Sequence, residues 1–127
     1  MIRIITGLLL MPHGAQKLFG FFGGRGVDET GTYLVTVYSL PPVLSTALGI
    51  IEFVGGAFLV VGFATRLAAV CVSVMMAIII TEVNWENGFF WSDGGFEYPL
   101  LWGVLGLYFA IRGGGKFSLD RRLGAEL

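Results

Sequence analysis

Between Val43 and Thr81 the chain carries just two charged side chains, Glu52 and Arg66. A run this apolar has few ways to fold in water, where a helix on the surface needs a polar face. A bilayer removes that need, and a spanning helix asks for roughly 20 predominantly apolar residues, with about 17 sufficient. Four segments approach that length once isolated polar residues are allowed: 3–23, 43–64, 67–83 and 97–112. The expected fold class is therefore all-α, a membrane four-helix bundle built as a single transmembrane domain over residues 1–127. Charged residues make up 13% of the chain, against about 25% in soluble domains, too few to cover the outside of a soluble bundle.

The opening "MIRIITGLLLMPHGAQK" sets Arg3 before an apolar stretch as a signal peptide would. It shows no small-residue cleavage site and hydrophobicity resumes after Lys17, so the reading is an uncleaved first transmembrane helix. The connections are a loop at 24–42, a tight turn around Thr65-Arg66, and the aromatic loop "NWENGFFWSDGGFEY", with a polar tail at 113–127. Within the first loop, "TGTYLVTVYSL" is too short to span and reads as either an interfacial helix or a re-entrant turn ending at Pro41-Pro42.

Four spans place Arg3, Arg66, Arg112, Lys116, Arg121 and Arg122 on one side. The bias of basic residues toward the cytoplasm then puts both termini there, in a bacterial-type inner membrane crossed several times. Asp28, Glu29, Glu86 and Asp93 fall on the other side, together with Trp85, Phe89, Phe90, Trp91 and Tyr98, which suit a membrane–water interface. Glycines at 7, 14 and 20, at 49, 55, 56 and 62, and at 103 and 106 let helix backbones approach closely.

Against this background the polar residues inside the spans stand out. His13, Gln16 and Lys17 are spaced i, i+3 and i+4 and project from one helix face. At 1.5 Å rise per residue, His13 lies ~15 Å from Arg3 and Glu52 ~14 Å below the start of its own helix, so the two match in depth. Glu82, ~22 Å above Leu67 by the same rise, is level with Lys17, and Glu97 opens the fourth span. Ionisable groups in hydrocarbon cost at least a few kcal/mol each, so they turn inward and pair. The expected core is His13, Gln16, Lys17, Glu52, Glu82 and Glu97, with His13–Glu52 and Lys17–Glu82 as partners. It is read either as glue that fixes helix register or as the lining of a ligand cavity or proton path.

Other chemistries find little support. A net charge of −1 offers no basic surface for nucleic acid. Cys71, the single cysteine, excludes an internal disulfide or an iron–sulfur site within the chain and reads as a small buried hydrophobe. No metal site is expected, since His–His and Glu–His ligand spacings are missing and Lys17 would compete with a cation. One histidine rules out bis-His haem within the chain.

The chain resembles the DoxX family of small four-helix membrane proteins. The resemblance is carried in order by "PHGAQKLFGFFGG", "GVDETGTYL", "LGIIEFVGGAFLVVGFATRLAA", "GGFEYPLL" and "GGGKFSLDRRL", which cover nearly all of the sequence. The matching positions are His13, Gln16, Lys17, Glu52, Arg66, Glu97, Ser118, Asp120 and Arg121; Gly113-Gly114-Gly115 departs from a Gly-Pro-Gly turn common in the family. Relatives in membrane redox systems imply a subunit that binds quinone or quinol and takes electrons from a partner protein. The chain would then be at most a quinone-linked oxidoreductase subunit with no redox centre of its own. His13 is the expected proton donor or acceptor, Glu52 orients it and Lys17 polarises a carbonyl oxygen, while Gln16, Glu82, Glu97 and Trp85 line the ligand site. The alternative is a non-enzymatic scaffold or accessory subunit of a larger membrane complex. A carrier of protons or small solutes is disfavoured, because one short bundle holds no inverted repeat. Expected partners are the bilayer, other membrane or redox proteins and further copies of the chain. In the tail, Ser118 is placed to cap a short helix and Arg121 and Arg122 to meet anionic headgroups.

Overall fold

Gly20 adopts a left-handed conformation with φ 70°, which ends the first helix at Phe19 and reverses the chain through a short 3-10 turn, Phe21–Gly23. The first apolar segment is thus shorter than its hydropathy indicates, because a residue without Cβ takes this backbone state at little cost. The computed structural model describes residues 1–125, and no strand is found among them. Six helices follow in order: α1 Ile2–Phe19, α2 Gly26–Tyr38, α3 Val43–Val61, α4 Thr65–Asn87, α5 Glu97–Arg112 and α6 Leu119–Leu123. The segment at 24–42, open between two readings in the sequence, is largely the helix α2, which packs on α1 and α3.

Among the described residues α3 and α4 are the helices long and apolar enough to cross a membrane by length and composition. At 1.5 Å per residue α1 and α5 measure roughly 27 Å and 24 Å, near the ~30 Å thickness of hydrocarbon. Gly62 with φ 72° and Ala64 with φ 44° make the turn between α3 and α4. Both long helices contain a π segment with wider turns, Ile51–Gly55 in α3 and Ile80–Asn84 in α4. Sequence periodicity gave no sign of either.

The helices associate as two packed pairs, α1 with α3 and α4 with α5, joined where α3 meets α4. Leu10, Leu34, Leu48, Val72, Met75 and Met76 form the main core, and Leu59, Ala69 and Phe109 a second one. Cys71 is half-buried. The α1–α3 contact depends on missing side chains: a Cβ on Gly14 would run into the Phe53 amide and the Gly49 carbonyl, and one on Gly7 into the Gly56 carbonyl. Gly14→Ala is therefore expected to destabilise the protein by roughly 1–3 kcal/mol through overpacking. Gly103→Ala, whose new methyl would meet Met76 Cβ at 3.5 Å, should change little. Thermal unfolding in one detergent compares the two.

The tail folds back on the helices. Ser118 Oγ accepts from the Arg121 amide at 3.3 Å and caps α6. The Asp120 carboxylate, 2% exposed, accepts from the Ala64 and Thr65 amides at 2.7 and 2.9 Å. These are orphan donors at the start of α4, where a negative charge also meets the positive end of the helix dipole. Arg3 Nη2 donates to the Phe117 carbonyl at 3.0 Å. The start of α1, the α3–α4 turn, the end of α5 and α6 therefore share one end of the molecule.

Candidate functional site

The face of α1 that carries Gly7, Gly14 and Lys17 lies against α3, and the 3–4 spacing of Ser45, Leu48, Gly49, Glu52, Gly55, Gly56 and Leu59 makes the buried stripe of that helix. Glu52 lies on this stripe inside the π segment, with 3% of its surface exposed. Lys17 Nζ donates to Glu52 Oε2 at 2.6 Å in an ion pair. The pairing differs from the one expected from depth, which gave Glu52 to His13 and Lys17 to Glu82. Depth along an axis does not say which helices are neighbours: α1 packs along α3, whereas α4 packs on α5. Lys17 packs beside Gly49, three residues before Glu52, and its flexible four-carbon stem reaches the carboxylate from there.

His13 and Glu52 nevertheless share a cavity of about 140 Å³, lined also by Leu10, Met76, Ile79, Tyr98, Pro99 and Trp102. Side chains of α1, α3, α4 and α5 all contribute to it. His13 is exposed at its edge and makes no hydrogen bond among the described residues, which differs from the inward, Glu52-bound histidine expected. Trp91 packs on Tyr98 with ring centroids 5.1 Å apart, so the aromatic loop reaches the cavity wall. Tyr98 and Trp102 were absent from the sequence-based site. Their signal was available in hindsight, since they follow Glu97 by one residue and five on the same helix.

The remaining expected members are elsewhere. Gln16 Nε2 donates to the Phe22 carbonyl at 3.3 Å and so closes the reversal after α1. Glu82 is exposed on the π segment at the end of α4, 3.5 Å from its neighbour Thr81 Oγ1. Glu97 Oε2 accepts from the Trp91 amide at 3.1 Å and ties the aromatic loop to the start of α5. Trp85 is 63% exposed and stacks on Phe96. The six-membered polar core thus resolves into one ion pair beside an exposed histidine, and three groups that shape loops or helix ends. Among the described residues no three His, Cys, Asp or Glu side chains gather as a metal site would need.

The model of the DoxX family matches residues 1–85. The chain belongs to the DoxX family. The matched part of this DoxX protein holds α1, α2, α3 and nearly all of α4, and with them the Lys17–Glu52 pair and His13. A Haemophilus influenzae protein described as uncharacterized is 32% identical over 128 residues, covering 95% of this chain and 87% of its own. A Bacillus subtilis protein named "Putative oxidoreductase CatD" is 27% identical, covering 94% and 82%. An uncharacterized membrane protein of Mycobacterium tuberculosis is 31% identical, covering 96% and 78%. This DoxX chain is a membrane protein, like that relative. No solved structure matches it significantly.

Proposed function

We propose that this DoxX protein crosses a bacterial-type inner membrane four times with both ends cytoplasmic, and serves a redox system by binding quinone or quinol beside His13 and Glu52. The observation that carries this reading is the cavity itself: four helices leave about 140 Å³ between the buried Glu52 that pairs with Lys17, a histidine without partner among the described residues, and the rings of Tyr98 and Trp102. Mostly aromatic and aliphatic walls with one carboxylate and one imidazole suit a flat ring bearing polar oxygens, so the residues present fit a quinone headgroup. The name of the Bacillus relative supports redox chemistry, and the six basic residues of the expected cytoplasmic side support the orientation.

When bound, a quinone supplies the electron-accepting chemistry, and a partner protein must supply the electrons. The chain's own share is proton handling and orientation. His13 offers a ring nitrogen that can pass a proton to or from a ligand oxygen within hydrogen-bond reach. Lys17, held by Glu52, keeps a fixed positive charge next to the cavity, where it stabilises negative charge developing on a ligand oxygen.

Purification with native lipids followed by mass spectrometry tests the reading. Wild type should carry quinone, His13→Ala should lose most of it, and Glu52→Gln should hold less. Equal quinone in all three proteins would remove the site from this cavity. The second reading, an accessory subunit whose ion pair is only a fastener, is favoured by how fully Lys17 and Glu52 satisfy one another at 2.6 Å; it predicts no quinone in any sample.

A further inference from the structure

At the end of the molecule opposite the aromatic loop, a cavity of about 960 Å³ opens between the start of α1, the end of α5 and the Gly113–Phe117 connection. Arg3, Arg112, Lys116 and Arg121 all line it, and no carboxylate does among the described lining residues; the buried Asp120 behind the wall acts on Arg3, which leaves Arg112, Lys116 and Arg121 as the cations facing the cavity. Arg3 is 6% exposed; its Nη2 is engaged by the Phe117 carbonyl, while Nη1 is buried against Gly62 with no hydrogen-bond acceptor. The other three are exposed and form no ion pair among the described residues. Cations gathered on a concave wall reinforce each other's field and draw in a counter-anion.

The rim says what kind of anion. Met1 and Phe117 are 97% and 90% exposed, and Ile2 beside them 61%. A soluble anion has no use for such a border, but an amphiphile matches it: acyl chains against the apolar rim, a charged head among the guanidinium groups. Arginine favours phosphate because its planar fork donates to two oxygens at once. We propose that this cavity binds the phosphate of an anionic phospholipid headgroup, with Arg112, Lys116 and Arg121 as its cationic contacts and Arg3 as the buried charge behind them. The site is independent of the quinone reading and lies at the other end of α1 from Lys17.

A basic residue near an anionic headgroup contributes about 1 kcal/mol, roughly fivefold in affinity. Native mass spectrometry of the full chain in detergent, titrated with phosphatidylglycerol and with phosphatidylcholine of the same acyl chains, reads the effect. Wild type should prefer phosphatidylglycerol by at least about tenfold, and the double variant Arg112→Ala/Lys116→Ala should lose about 25-fold in that affinity, two fivefold contributions. The charge-keeping double variant Arg112→Lys/Lys116→Arg should bind like wild type, as should Arg25→Ala, whose guanidinium sits over Tyr33. Helix content by circular dichroism confirms that each variant is folded, and a double alanine variant that fails this check is replaced by Lys116→Ala alone, with a fivefold loss expected. Unchanged phosphatidylglycerol binding by the alanine variant, or equal binding of the two lipids, would overturn the proposal. Displacement of the lipid by an equal concentration of inorganic phosphate would overturn it too, by assigning the site to a soluble anion.

Discussion

Asp120→Ala should destabilise the protein by roughly 3 kcal/mol or more, the largest effect expected of any single change in the tail. The carboxylate is 2% exposed and takes the amides of Ala64 and Thr65. Its removal strands two buried donors, each costing about 1–3 kcal/mol, and takes away the counter-charge that acts on buried Arg3. Asp120→Asn keeps a single carbonyl oxygen and should recover about half of the loss by the same reasoning. The measurement is thermal or denaturant unfolding in a fixed detergent. An Asp120→Ala protein as stable as wild type would show that α6 does not hold the α3–α4 turn. Ser118→Ala, which removes the cap of α6, should cost only about 1 kcal/mol.

The second large effect is expected at the ion pair. Glu52→Ala leaves the Lys17 ammonium without its partner, and because that ammonium is 25% exposed the cost should be roughly 3 kcal/mol, the low end for breaking a buried pair from one side. Replacing both residues by methionine should bring stability back close to wild type, because a buried pair is often no better than packed apolar side chains of similar volume. The double replacement therefore separates fastening from function. If the pair is part of the quinone site, the double methionine protein folds with near-native stability and carries no quinone. A stable double variant that still carries wild-type amounts would reduce the pair to a fastener.

Certain parts of this protein were legible in the sequence for clear reasons. Pro41-Pro42, the Thr65-Arg66 turn and Glu97 interrupt long apolar runs, and helices start or stop within a few residues of each: α3 at Val43, α4 at Thr65, α5 at Glu97. The stretch 24–42 was harder, because thirteen residues of mixed polarity in α2 satisfy more than one environment. The first span came out shorter than expected since hydropathy does not register a backbone angle, and Gly20 ends α1 through its φ. Glycine content correctly pointed to close packing, and Gly14 against Phe53 and Gly49 shows where it happens.

What the sequence by itself determined was the inventory: apolar lengths fit for helices, charges set at similar depths along them, and basic residues collected at one end. Those follow from local quantities, rise per residue and hydrophobicity, that each segment carries with it. Tertiary structure alone decided partners. Glu52 takes Lys17, 35 residues away, because helix pairing puts α1 beside α3 and the lysine stem reaches the carboxylate from beside Gly49. Asp120 caps α4 from more than fifty residues downstream because the tail returns to the end where α4 begins. Such choices depend on helix rotation and on which faces meet, and these are settled only when all the helices pack at once.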